Sequence, residues 1–98
     1  MVRPYEIMLV LDPKLEQEEE REELLQRLQQ VVTDGGGEIT KVDPWGKRRL
    51  AYEIQGNTEG YYVVMHFRSE SSAAQELERV VKLTEEIIRH LLVRLDEK

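Results

Sequence analysis

The chain reads as an α+β fold of order βαββαβ: a four-stranded antiparallel sheet with both helices on one face. Three observations predict it. Apolar residues alternate at a period of two along Pro4 to Leu11, Lys47 to Ile54 and Gly60 to Arg68. Two stretches between and after these runs carry helical spacing, one through Leu24, Leu25, Leu28, Val31 and Val32, the other through Ala73, Ala74, Leu77, Val80 and Val81. The 98 residues, 40% hydrophobic and 35% charged, suffice for one core and not two, so a single domain over residues 1–98 is expected.

The first strand, Pro4 to Leu11, puts Tyr5, Ile7, Leu9 and Leu11 on one face and Glu6, Met8 and Val10 on the other. Apolar side chains on both faces mark a central or doubly covered strand. Asp12-Pro13 ends it and opens a helix, with Asp12 as the cap and Pro13 at the first helical position. Leu15 extends the buried stripe to the first turn, and the acids at the front favour the positive end of the helix dipole. Those glutamates spread around the helix without converging, so a solvated face outweighs a metal or partner site there. Asp34-Gly35-Gly36-Gly37 stops the helix.

Glu38 to Asp43 alternates again, Pro44-Trp45-Gly46 interrupts, and Lys47 to Ile54 resumes with Leu50, Tyr52 and Ile54 on one face and Arg49, Ala51 and Glu53 on the other. A glycine inside a strand pattern predicts a bulge, hence one long, bent strand. Gln55 to Glu59 forms the turn of a hairpin whose second strand is Gly60 to Arg68. Ser69 to Ser72 starts the second helix, with Gln75 placed to complete a capping box from Ser72, and the helix ends near Lys82. The apolar residues of Thr84 to Leu95 fit a helix or a strand, and their spacing alone favours the helix. The first half already shows strand-helix-strand, and the hairpin strand and second helix want the same completion, so the reading adopted is a final strand. Right-handed crossovers then place the first and third strands at the centre of the sheet.

The sequence offers little chemistry for catalysis. No cysteine is present, which removes disulfides and thiolate metal sites. His66 and His90 fall on separate strands, without a carboxylate at a ligand spacing. Ser69, Ser71 and Ser72 serve as helix-start residues, and Gly35-Gly36-Gly37 follows a helix where a phosphate loop would precede one. No catalytic residue, metal, cofactor or small-molecule substrate is expected. The start of the chain lacks a signal-peptide apolar region and no run is long enough for a bilayer, so a cytoplasmic protein without a membrane is expected.

Binding is better supported. The net charge is −6, yet Asp12 to Glu23 alone holds −5 of it, leaving the rest close to neutral. A polyanion responds to local patches, so the acidic total does not exclude it. With both helices on one side, the other face of the sheet keeps Met8, Val10, Ala51, Tyr62, Val64, Leu91 and Val93, with Arg49, His66 and Arg89 among them. An apolar face of that kind marks an interface, although a register slip of one residue would exchange the faces. Lys47, Arg48 and Arg49, with Arg3, Lys41, Arg68, Arg89 and Arg94, supply phosphate contacts if they converge. The same topology occurs in the RNA-recognition motif. Glu59-Gly60-Tyr61-Tyr62-Val63-Val64-Met65-His66 keeps the glycine, an aromatic and a valine of that motif, has Glu59 for its leading basic residue and lacks the later aromatics. Base stacking on the sheet is therefore disfavoured.

Five stretches together carry a closer resemblance: Tyr5 to Pro13, Gly36 to Ile39, Trp45-Gly46-Lys47-Arg48-Arg49-Leu50-Ala51-Tyr52-Glu53-Ile54, Glu59 to Met65, and Leu83 to Arg94. In this order they resemble the family of bacterial small-subunit ribosomal protein six over essentially the whole chain, with Trp45 to Tyr52 the most specific part. The resemblance implies a ferredoxin-like fold with a strand at the end. It also implies a structural role in the cytoplasmic 30S subunit: binding 16S ribosomal RNA in the central domain, jointly with ribosomal protein eighteen, in support of platform assembly and translation. Arg3, Lys47, Arg48, Arg49, Arg89 and Arg94 are then candidates for RNA or partner contacts, and Met8, Val10, Ala51, Tyr62, Val64, His66, Leu91 and Val93 for the protein partner. Many members have proline where this chain has Glu53, and some carry an acidic tail where this one has Asp96-Glu97-Lys98. The competing classes are a small-molecule regulatory domain of this fold and a small enzyme dimerised across the sheet.

Overall fold

A computed structural model describes residues 1–95. The elements follow the order β1 (Arg3–Leu11), α1 (Glu18–Asp34), β2 (Glu38–Ile54), β3 (Asn57–Ser69), α2 (Ser71–Lys82) and β4 (Ile87–Arg94). All strand pairs are antiparallel in the sheet order β2-β3-β1-β4, so β1 and β3 are central as the crossovers require. The ambiguous last segment is a strand. Asp96, Glu97 and Lys98, where some family members continue into a tail, lie outside the described residues.

The main core lies between the sheet and the helices. Tyr5, Ile7, Leu9 and Leu11 of β1 and Val63, Met65 and Phe67 of β3 meet Leu24, Leu25, Leu28 and Val32 of α1 and Ala74, Leu77 and Val81 of α2. Tyr5 and Phe67 face each other across the central ladder, their rings stacked 5.3 Å apart. Both helical stripes thus bury the residues their spacing selects.

Helix starts depart from expectation. Asp12 Oδ1 accepts the Lys14 N–H at 2.8 Å, a local bond that closes a turn instead of a helix cap. The helix therefore begins at Glu18, and Leu15 packs against the core from the preceding loop. At α2 the extended residue before the first turn is Glu70, which leaves Ser72 inside the helix and its capping box unformed. The buried Ser69 donates its hydroxyl to the Glu70 carbonyl at 2.9 Å. The glycine stop of α1 is as read: Gly37 N–H donates to Val32 O and Gly36 N–H to Thr33 O.

β2 is the long, bent strand, and its bulges decide what the site looks like. Its pairing with β3 shifts between Ile39 and Lys41, between Pro44 and Gly46, and again between Arg49 and Ile54. Gly46 takes φ +88°, the left-handed backbone that the second bulge needs. At the third shift Leu50 to Glu53 face only Thr58, so this segment leaves the ladder and leans over the sheet. The hairpin turn is just Gln55-Gly56, tighter than Gln55 to Glu59, and both residues have positive φ.

A second, smaller cluster results on the sheet face opposite the helices: Val10, Leu50 and Ile88 are buried together, with Ile54 and Tyr62 against them. This corrects the expected faces. Each extra residue in a bulge inverts the alternation beyond it, so Leu50 turns to the open side and Ala51 turns away from it. Ile88 joins this cluster as the extra residue of a β4 bulge, while Ile87 enters the main core. The approach is close beneath it. A Cβ on Gly60 would lie 2.5 Å from Val10 Cγ1 and 3.1 Å from Leu11 O.

Gly60→Ala should therefore destabilise the fold by about 1–3 kcal/mol in urea unfolding. Val10→Ala in the same chain should recover part of that, so the double variant loses less than the two single losses together. Gly46→Ala meets open space and should cost only backbone strain, about 1–2 kcal/mol.

Candidate partner and nucleic-acid interface

The open sheet face divides into a covered end and an uncovered end. At the covered end the Leu50 segment hides Val10, which has no exposure at all. At the other end Leu91 and Val93 are exposed, Met8 is half-buried and Val64 is buried between its neighbours. Met8 pairs with Val64 on one side and Leu91 on the other, forming a row across three strands. Leu91 is 53% exposed and Val93 39%, large apolar side chains on a surface otherwise rich in charge. His66 and Glu6, 3.9 Å apart and cross-strand neighbours, edge this strip with polar groups.

Aromatic and cationic side chains gather where the bent strand passes over the sheet. Trp45, the residue added at the second bulge, stacks on Tyr62 at 6.4 Å with 12° between the rings. Arg48 stands 5.9 Å from the Trp45 ring and donates Nε–H to the Trp45 carbonyl at 3.3 Å. Trp45 Nε1 in turn donates to Asp43 Oδ2 at 3.1 Å, which sets the indole's orientation. Arg89 of β4 donates to the Tyr52 hydroxyl and lies 5.7 Å from its ring. The contact between Tyr52 and Arg89 ties β2 to the opposite edge strand of the sheet. Arg48 and Arg89 thus flank the covered end of the open face.

The other basic candidates do not join them. Lys47 projects to the helix side of β2, 3.7 Å from Glu59 and near the Tyr61 ring. Arg49 pairs with Glu59 on that same side, so it leaves the open face to which the sequence assigned it. Arg3 pairs with Ser69 and Arg94 with Tyr5 at the far end of β1, roughly 17 Å (Arg94) and roughly 23 Å (Arg3) along the strand direction from Arg89. The six cations form two groups at opposite ends of the sheet, with the first group split across β2. Ala51 is exposed but faces away from the strip, and Val10 is covered; Met8, Tyr62, Val64, His66, Leu91 and Val93 do share the open face.

Three residues escaped the sequence reading as site members: Leu50, Tyr52 and Trp45. Their signal was the Trp45-Gly46 bulge, which inverts the face of everything after it. No group of His, Cys, Asp or Glu suited to a metal occurs among the described residues. The site is a half-covered sheet face with an apolar row and arginines near its two ends.

Comparison with known proteins identifies the family. The family described as Ribosomal protein S6 matches residues 4–94. The small ribosomal subunit protein bS6 of Thermoanaerobacter pseudethanolicus is 51% identical over 96 residues, spanning 98% of this chain and all of that protein. Its counterpart from Desulforudis audaxviator is 50% identical over 95 residues, 97% of this chain and all of the relative. The crystal structure of the 30S ribosomal protein S6 from Thermotoga maritima superposes with a TM-score of 0.89 at 40% identity, covering 97% of this chain and 89% of that one. The chain belongs to the ribosomal protein S6 family, structural proteins of the small ribosomal subunit and not enzymes.

The inverted face has a direct check. Leu50→Asp places a charge in the second cluster and should destabilise by about 3 kcal/mol or more. Ala51→Asp, one residue on, should stay within about 0.5 kcal/mol of the parent in the same urea titration. The reverse order would restore the unbulged register.

Proposed function

We propose that this protein binds 16S ribosomal RNA in the central domain of the small subunit together with ribosomal protein eighteen, as one domain over residues 1–98 that helps assemble the platform. The observation that carries the reading is the uncovered apolar row. Leu91 and Val93 stand open beside a half-buried Met8 on a chain with 35% charged residues, and a protein partner is the occupant that would remove them from water.

The charges suit a composite surface. Arg48 and Arg89 border the row at one end, with Lys47 and Arg49 just around the edge strand; Arg3 and Arg94 border the sheet at the other end. RNA would reach these groups beside the partner protein, so each protein alone offers only part of a phosphate-binding surface. Tyr62 and His66 line the row and supply polar atoms at its rim. Val10 and Val64, nearly without exposure, support this surface from beneath.

The test is filter binding with the central 16S fragment, with and without ribosomal protein eighteen. Tight binding is expected only with both proteins present. Leu91→Asp should weaken the protein pair, while Arg48→Glu with Arg49→Glu should weaken the ternary complex by about tenfold or more and flatten its salt dependence. A ternary complex unchanged by the charge reversals at physiological salt would refute the assignment of these arginines. Equal RNA affinity without the partner would refute the joint surface.

A further inference from the structure

On the other side of β2, the edge of the sheet and the start of α1 enclose a cleft of about 310 Å³. Pro44, Trp45 and Tyr61 supply apolar and aromatic wall, and Glu18, Arg21 and Glu22 come from the first turns of the helix. Such a volume lies at the small end of the range for ligand sites, room for one long side chain.

The chain already shows what the aromatic wall accepts. Arg21 lays its guanidinium 3.8 Å from the centre of the Tyr61 ring and donates to the Leu15 carbonyl. Lys47 approaches the same ring at 5.7 Å. Arg21 is thereby engaged with Tyr61 and Leu15, and neither Glu18 nor Glu22 has an ion-pair partner among the described residues. They are one helical turn apart, on the side of α1 that lines the cleft. Around them the Asp12 to Glu23 tract carries a net charge of −5. Aromatic rings beside two carboxylates that outnumber the one cation of the cleft, Arg21, attract a cation that also has a flat or apolar body, and arginine suits both contacts. A phosphate backbone is repelled by the same carboxylates.

We propose that this cleft is a second docking site, beside the open sheet face and sharing only Tyr62 of its row, that takes an arginine side chain from a basic extended segment of a protein partner. The guanidinium stacks on Trp45 and is held by the carboxylates of Glu18 and Glu22. Because Trp45 also stacks on Tyr62, occupation of the cleft reaches a residue of the open face through one ring contact.

Trp45 is the only tryptophan, so its emission reports the site. The probe is a blocked tetra-arginine peptide added to the full chain at fixed ionic strength. A saturable change in emission is expected, weakened about tenfold by Glu18→Gln with Glu22→Gln. The matched pair Glu19→Gln with Glu23→Gln removes the same charge outside the cleft lining and should leave binding within about twofold. Tyr61→Leu, followed by calorimetry, should also weaken it, with circular dichroism confirming the fold of each variant. Equal losses in the two glutamine pairs, a tetra-lysine peptide that binds as tightly, or an oligouridine that binds in place of the peptide would each overturn the proposal.

Discussion

The structure depends on one strand that must be dry on both sides. In β1, Leu9, Val10 and Leu11 are consecutive, alternate between faces, and all have no exposure. Each such side chain is worth about 1.5–3 kcal/mol only when its cover is in place. The two helices cover the side of Leu9 and Leu11. Covering Val10 requires something on the opposite face, and β2 supplies it by leaving its ladder so that Leu50 can lie on Val10 and Ile88. The cover is short. It ends before Met8, and the remaining row of Met8, Leu91 and Val93 is the part of the same requirement that the chain does not meet by itself.

Charge is sorted in the same way as burial. The acidic tract sits on α1 and the turn before it, whereas the basic residues of β2 and β4 stand at the borders of the sheet. A net charge of −6 therefore coexists with local positive potential, because field lines from exposed charges are screened within about 10 Å. The two sides of β2 differ most: Arg48 faces the open sheet, and Lys47 faces Tyr61 and Glu59.

Periodicity made most of the fold legible. The helical stripes, both central strands and the bulge at Gly46 stand in the spacing itself, and the last strand followed from topology against a spacing that favours a helix. Short-range competition was harder to read. Asp12 had both a turn and a helix within reach of its carboxylate, and its bond to Lys14 N–H closes a turn that ends before the helix begins at Glu18. Ser72 had the right neighbour for a capping box but the wrong backbone, since the chain is already helical there. Faces were legible only up to a bulge. Beyond Trp45 the alternation restarts with opposite sign, which exchanged Leu50 with Ala51 and sent Arg49 to the far side. The cations of a site spread over four elements were visible one by one, but their division into two groups needed the register.

The irregularity of β2 also bears on the protein's fate before it meets its partners. An edge strand with a straight row of free amides is a template on which a neighbouring copy can add its own strand. β2 has three register shifts in 17 residues, a proline, and Lys41, Lys47, Arg48 and Arg49 along its length. No long stretch of its outer edge runs straight, and charged side chains stand along it. The bends that fold Leu50 over the sheet thus make this border a poor seed for aggregation in a newly made chain whose apolar row is still uncovered.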